Sequence, residues 1–312
     1  MTGVPEAFTR TTLDREGSEA QVWLDSLPGL VEDLLGRWGA TVDGEPLHGG
    51  VALIVPVRRQ ADGVAAVLKV SFPHPGNRHE PHALTRWQGR GAVRLYERDD
   101  SRYAMLLERV QPVTLAQTEQ GEDVASVAGA LNHRLAVPAP ADMPRLQEQV
   151  AAWEQQLRAD DNALGHPLSA HIVNTALSTL QDLARHQPSL MVHGDLHGRN
   201  ILRADREPWL AVDPKGFAGD PGYDAGTLLK SRLPTLLDAR NLPADVHRIL
   251  DAFVEAAELD RTRARRWAQL HAVQAAFSGR RQGFRRARSG PELQRLTALV
   301  DHTAEALTTS LR

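Results

Sequence analysis

The chain has 312 residues, a formal net charge of −3 and no cysteine. That length can bury one large core or two modest ones, the charge gives no general pull toward nucleic acid or anionic membrane, and without cysteine a disulfide framework, a thiolate metal site and a cysteine nucleophile are all excluded. The first thirty residues lack a basic start followed by an apolar run, and no apolar stretch approaches the roughly 20 residues that span a bilayer, so a soluble cytoplasmic protein with no membrane partner is expected.

In chain order, residues 1–17 carry no periodic pattern and read as an arm. Val22, Trp23, Leu27, Leu30, Val31, Leu34 and Leu35 recur at helical spacing, which predicts a helix over 18–38 with a break or kink at Pro28 and an end at Gly36 and Gly39. His48-Gly49-Gly50 then precedes a strand; glycines there let backbone amides approach phosphate oxygens, although a plain β-turn fits equally well. Residues 51–57 and 64–70 are β-rich runs joined by a loop carrying the hairpin signal Asp62-Gly63. Pro56 places the first run near an edge or bulge. A helix over 77–89 and strands over 92–96 and 103–108 complete a small, mostly antiparallel sheet with one inserted helix.

Lys69 sits inside the second apolar run, beside Val67, Leu68 and Val70. A buried ammonium needs a partner, and Glu80, near the start of the next helix, is the only acidic residue between Lys69 and Glu97. After Pro112 the spacing turns helical, over 121–136, 144–159, 169–186, 224–238, 244–257, 260–287 and 291–310. This series is interrupted only by a strand-rich block at 190–217.

That block holds the chemistry. Leu190-Met191-Val192 is a short strand running into His193-Gly194-Asp195-Leu196-His197-Gly198-Arg199-Asn200. A second strand starts at Asn200-Ile201-Leu202, Glu207-Pro208 turns the chain, and Trp209-Leu210-Ala211-Val212 delivers Asp213. Asp195, Asn200 and Asp213 so spaced are what phosphoryl transfer requires. One carboxylate orients an acceptor hydroxyl and takes its proton, while an amide oxygen and a second carboxylate hold the magnesium that bridges nucleotide phosphates. The set is therefore read with Asp195 as the catalytic residue and Asn200 and Asp213 as metal ligands. His193 is read as bracing the loop rather than as a base; His197 and Arg199 can face phosphate or acceptor and are assigned no role.

The stretch 193–213 resembles the Brenner-type motif of aminoglycoside phosphotransferases and their kinase-like relatives. The continuation Asp213-Pro214-Lys215-Gly216, then Gly219-Asp220-Pro221-Gly222-Tyr223-Asp224, is similar to the branch of streptomycin 6-phosphotransferases and hydroxyurea phosphotransferases. The resemblance implies an α+β, protein-kinase-like two-lobe fold. An N-terminal lobe (1–109) would hold the small antiparallel sheet, and a mainly helical C-terminal lobe (110–312) the catalytic loop and acceptor site, with the nucleotide between them. It also implies that Lys69 pairs Glu80 and the phosphates, that the turn at Gly49 and Gly50 covers the phosphates, and that the backbone of Glu108 and Val110 binds the adenine edge. By the same resemblance Asp224 supports the loop, although it could simply cap its helix. Asp220 is a candidate contact for a cationic substrate, with turn formation as the alternative. A cationic acceptor should meet acidic side chains, of which Asp142, Glu154, Asp160, Asp161 and Asp220 are the candidates.

The implied activity is that of an ATP- and Mg²⁺-dependent kinase acting on a small-molecule hydroxyl, of the aminoglycoside or hydroxyurea resistance type. A metabolic kinase of the same fold, with a sugar, choline-like or amino-alcohol acceptor, is the second reading. A nucleotide- or nucleic-acid-binding protein without turnover is the third. Pro-Lys-Gly after Asp213, where protein kinases carry Phe-Gly, argues against a protein kinase. The arginine-rich segment 261–288 reads as a solvated helix face, with Trp267, Phe277 and Phe284 on its buried side, rather than as a nucleic-acid surface. No feature of the sequence sets an oligomeric state.

Overall fold

A computed structural model describes residues 3–183 and 185–311. Ala184, within the helix expected over 169–186, and residues 1, 2 and 312 lie outside them. The chain divides into two compact units, Met1–Gln111 with Ala204–Arg206, and Pro112–Arg203 with Glu207–Arg312.

The first unit begins with helices α1 (Glu6–Glu16) and α2 (Ala20–Arg37). The helix α1 corrects the expectation of an unstructured arm. Its apolar content is too sparse to print a stripe, but Phe8 is fully buried and meets Trp23 edge-on at 6.0 Å. The helix α2 runs through Pro28 without ending. Strands β1 (Ala40–Val42), β2 (Leu47–His48), β3 (Ala52–Arg59) and β4 (Ala65–Ser71) follow, then helix α3 (Glu80–Trp87) and strands β5 (Leu95–Asp99) and β6 (Ala104–Glu108). All pair antiparallel, in the order β1-β3-β4-β6-β5, with β2 also on β3. The strand expected over 92–96 therefore lies three residues later. Pro56 is not on an outer strand. It falls where β1 and β2 leave a gap beside β3, so its missing N–H costs no ladder bond.

Alternation along these strands sorts their side chains onto two faces. Leu53, Val55 and Val57 of β3, Ala66, Leu68 and Val70 of β4, and Ala104 and Leu106 of β6 form one core with Phe8 and with Leu24, Leu27, Val31 and Leu34 of α2. Lys69 alternates with that set and belongs to the other face. This is how an apolar strand carries a lysine without placing it in the main core.

The second unit holds helices α4 (Leu115–Thr118), α5 (Gly121–Leu135), α6 (Val150–Ala163) and α7 (Ala170–Asp182), then strands β7 (Leu190–Val192), β8 (Ile201–Arg203), β9 (Trp209–Ala211) and β10 (Phe217–Gly219). Helices α8 (Tyr223–Arg232), α9 (Leu242–Ala257), α10 (Arg261–Gln282) and α11 (Gly290–Thr309) close it. The four strands make two separate antiparallel pairs, β7 with β10 and β8 with β9. Trp267 and Phe277 of α10 are fully buried, so neither ring is offered for stacking on a base. His271 of α10 lies over Gly226 of α8 and edge-on to Tyr223 at 4.5 Å. The Gly226 backbone lies against the ring without completing a hydrogen bond, and neither ring nitrogen has a partner among the described residues. Among the described residues no helix is long and apolar enough to cross a membrane.

Two measurements test this packing. Phe8→Ala removes a buried ring from the sheet core and should lower stability by about 3–5 kcal/mol in denaturant melts; a loss near zero would show that α1 is not docked. Burial lowers the His271 pKa to about 3 from the ordinary 6.5. The unfolded chain therefore takes up a proton below pH 6.5 that the folded chain refuses, and stability falls as pH drops from 6.5 toward 3. His271 alone should contribute a loss of about 2 kcal/mol at pH 5. The urea midpoint of His271→Gln should fall correspondingly less between pH 7.5 and 5, and an equal fall in both proteins would refute this assignment.

Candidate functional site

In the first unit, β4 delivers Lys69 and α3 begins at Glu80. Their side chains are buried, and Lys69 Nζ lies 2.5 Å from Glu80 Oε1. Glu108 ends β6 with its side chain engaged. Its carboxylate accepts from Arg206 Nε at 3.0 Å, from Arg206 Nη2 at 2.9 Å and from the Arg94 amide at 3.0 Å. Its own amide donates to the Arg94 carbonyl at 2.9 Å, so that N–H belongs to the sheet rather than to a ligand. The Val110 amide, just past the strand, has no hydrogen bond to another described residue. Arg206 lies 98 residues from Glu108 in sequence, and no spacing pattern could have identified it as this brace.

Gly49 and Gly50 form the exposed turn between β2 and β3. The Gly49 amide bonds the Ala52 carbonyl at 2.9 Å, and the Arg15 guanidinium donates to the Gly50 carbonyl. A side chain at either glycine would meet nothing within 4 Å. The turn therefore does not itself demand glycine.

In the second unit the hairpin β8–β9 carries Asn200 at its start and Asp213 just past its end. The Val212 amide donates to the Asn200 carbonyl at 2.9 Å, which sets the two residues side by side. Asn200 Nδ2 donates to the Asp195 carbonyl at 3.0 Å and to Asp195 Oδ2 at 3.2 Å. The amide is thereby oriented, with Oδ1 as the remaining acceptor. Asp213 is exposed and has φ of 56°. This is the left-handed region, which non-glycine residues enter rarely and Asp more readily than most. Such a conformation persists where the surroundings enforce it.

His193 supplies that enforcement. Its Nε2 lies 3.0 Å from the Val212 carbonyl, and its Nδ1 lies 3.3 Å from the Asp195 amide. A carbonyl can only accept and an amide can only donate, so the network fixes the tautomer with the proton on Nε2. Complete burial lowers its pKa to about 4, which keeps the ring neutral and the two bonds intact. The His193 carbonyl also accepts the amides of Lys215 and Gly216, at 2.8 and 3.2 Å.

Asp224, in the first turn of α8, holds the same loop from beneath. Its carboxylate accepts the His193 amide at 3.1 Å and the Gly194 amide at 2.9 Å. Burial pushes its pKa up to about 7, against the pull of these amides. Asn132 donates to the same carboxylate at 3.4 Å and to the Pro221 carbonyl at 3.1 Å. It is a second brace that its position in α5 gave no reason to single out.

Asp195 itself is part-exposed, with 35% of its side chain open to solvent and Oδ1 3.5 Å from His197 Nε2. Burial lowers the His197 pKa, against the charge of Asp195. Among the described residues no group of three or more His, Asp or Glu could hold a metal alone. Asn200 and Asp213 offer two oxygens, which fits a magnesium ion that takes its remaining ligands from phosphates and water.

Asp220 requires a correction. It is 4% exposed, and its carboxylate is filled by protein donors. Arg263 reaches Oδ2 at 2.9 and 2.6 Å, Trp267 Nε1 reaches it at 2.9 Å, and the Gly222 amide meets Oδ1 at 2.9 Å. A buried carboxylate so satisfied ties the turn before α8 to α10 and has no face left for a cationic substrate.

The sequence profile described as aminoglycoside/hydroxyurea antibiotic resistance kinase matches residues 37–283. The chain is 37% identical over 276 residues to a streptomycin 6-kinase of Streptomyces glaucescens, covering 88% of this chain and 90% of the relative. It is 34% identical over 275 residues to a hydroxyurea phosphotransferase of Kitasatospora aureofaciens, covering 87% and 78%. Among solved structures, the amicoumacin kinase hAmiN in complex with AMP-PNP, Ca²⁺ and Ami superposes with a TM-score of 0.56 over 94% of this chain and 96% of that one, at 13% identity. The small antiparallel sheet and the mainly helical remainder thus form the α+β, protein-kinase-like fold. The chain belongs to the aminoglycoside/hydroxyurea antibiotic resistance kinase family.

Proposed function

We propose that this protein transfers the γ-phosphoryl group of ATP to a hydroxyl of a small molecule, as an antibiotic resistance kinase. The observation that carries the reading is the hairpin that sets Asn200 beside Asp213, with Asp195 hydrogen-bonded to Asn200 and tied through His193 to Val212. Catalysis of this transfer is mostly positioning and charge neutralisation, and this network is built to position.

Asp195 orients the acceptor hydroxyl and receives its proton. Asn200 Oδ1 and the Asp213 carboxylate hold a magnesium ion, which when bound neutralises charge on the phosphates. Lys69, kept charged by Glu80, meets phosphate oxygens, and the Val110 amide and the Glu108 carbonyl offer the adenine edge its hydrogen bonds. The support for a nucleotide cofactor is the AMP-PNP in the complex of the amicoumacin kinase. The relatives that match along most of the chain are named for streptomycin and hydroxyurea, which favours a drug hydroxyl over a sugar or choline-like acceptor. One of these compounds is neutral and the other cationic, so the acceptor's charge is set by the site itself.

Asp195→Ala should lower kcat by about 10²–10⁴ while ATP binding by calorimetry is unchanged; near wild-type turnover would falsify the assignment of the proton acceptor. Asp213→Ala should instead weaken binding of ATP with Mg²⁺ by about tenfold or more and leave binding of ATP without metal much as it was. Equal losses in both titrations would show that Asp213 does not act through the metal.

A further inference from the structure

Of the cations around Asp195 within the second unit, only Arg199 belongs to the motif at 193–213. Arg199 stands four residues along the same loop and feels the charges of both Asp195 and Arg285, while burial lowers its pKa. Lys230 belongs to α8. On that helix Tyr223, Thr227 and Lys230 fall at i, i+4 and i+7, one stripe. The Thr227 hydroxyl donates to the Leu196 carbonyl at 3.2 Å, so this stripe faces the catalytic loop. Lys230 continues it by one turn and acts electrostatically on His197. Arg285 lies in the turn between α10 and α11. The next residue, Arg286, donates to the Pro234 carbonyl at 3.3 Å, which sets this turn beside the end of α8.

Ion pairing separates these three from their neighbours. Arg263, Arg266, Arg280 and Arg281 each have a carboxylate partner, in Asp220, Asp182, Asp301 and Asp160. Among the described residues none of Arg199, Lys230 and Arg285 has a carboxylate within 4.0 Å. The acidic groups that could receive a polycation are largely consumed as well. Glu154 pairs with Arg158, Asp160 with Arg281, Asp161 with His166 and Asp220 with Arg263. Asp142 alone of the five candidates keeps an exposed carboxylate without an ion pair. The ring that opens this stripe on α8 is neutral. Tyr223 senses the Asp195 charge and stacks on Trp153 at 5.8 Å and 14°.

We infer that the acceptor site beside Asp195 selects hydroxyl compounds without net positive charge, and that Arg199, Lys230 and Arg285 are the specificity element that repels polycations. The inference rests on Asp195 as the acceptor-orienting group. It separates the two substrate types found among the relatives, favouring a small uncharged acceptor of the hydroxyurea kind over the guanidinium-bearing aminoglycoside. Specificity of this sort is a repulsive device as much as an attractive one, and like charge beside the reaction centre is such a device.

The experiment compares kcat/KM for streptomycin, for hydroxyurea and for a panel of uncharged and anionic hydroxyl compounds. It uses the full chain and the variants Lys230→Glu, Arg285→Glu and the double variant. The wild type should use uncharged or anionic acceptors at least tenfold better than streptomycin. The double variant should raise kcat/KM for streptomycin by about tenfold or more, with KM for ATP within about twofold of wild type. Circular dichroism melts of the single variants, in which only an exposed side chain changes, check that the fold is kept. Streptomycin as the best wild-type acceptor would overturn the inference. So would an unchanged preference in correctly folded variants, or a rise confined to KM for ATP, which would assign these cations to the nucleotide. Absence of any ATP-dependent phosphorylation by the wild type across the panel would remove the kinase reading itself, and the inference with it.

Discussion

The buried carboxylate of Asp224 is the constraint on which the catalytic loop depends. It is wholly inaccessible to solvent and yet receives the amides of two consecutive residues, His193 and Gly194. Gly194 has φ of 81°, so the chain turns there through a conformation that a side chain would strain, and both amides point at one acceptor. Without that acceptor the buried His193 amide would lose its bond, at about 1–3 kcal/mol, and the half-buried Gly194 amide would lose its own. A loop facing such a cost would rearrange, and Asp195 would move with it. Asp224 thus sets the position of Asp195 through backbone geometry.

His193 extends this order to the other side of the site. The peptide at Val212 is held at both ends, its N–H by the Asn200 carbonyl and its carbonyl by the His193 ring. Asp213 follows directly, in the left-handed region. A residue there costs of order 1–3 kcal/mol, and here the flanking bonds offset that cost. The gain is rigidity in an exposed carboxylate at the end of the hairpin, because placing a side chain within a fraction of an ångström requires a fixed backbone. The neutral state of His193 belongs to the same design. A protonated ring could not accept the Asp195 amide, and complete burial removes that state at any ordinary pH.

The readability of the sequence followed the range of the interactions involved. The hairpin β8–β9, with Asn200 and Asp213 at its two ends, could be read because two short apolar runs, the Glu207-Pro208 turn between them and the polar ends are all local in sequence. Lys69 and Glu80 could be paired because a lysine in an apolar strand needs a counter-charge and only one acid stands near. The helix α1 escaped because its docking rests on few apolar side chains, chiefly Phe8 with Leu13 beside it. Asp220 was misread as a substrate contact because Arg263 and Trp267, which fill its carboxylate, lie 43 and 47 residues away; the turn alternative stands in its bond from the Gly222 amide. Arg206 and Asn132 were invisible for the same reason: each braces a functional segment about 90 residues or more distant, and nothing in their own surroundings announces it.

The Lys69–Glu80 pair shows how to weigh such long-range contacts. Both side chains are almost fully buried, and removing two charges from water costs several kcal/mol per ion, which their attraction only partly returns. An apolar pair of equal volume would serve the sheet as well or better. The pair is therefore poorly explained as a device for stability and better explained as one that holds a cation beside a fixed anion at a chosen point of the sheet. Glu80 is the first residue of α3, so the amides of that helix start favour the carboxylate as an anion. An anionic glutamate in turn favours the ammonium. The strand sets the position of the cation, the helix start sets the charge of its partner, and the lysine that results can meet a phosphate as a cation.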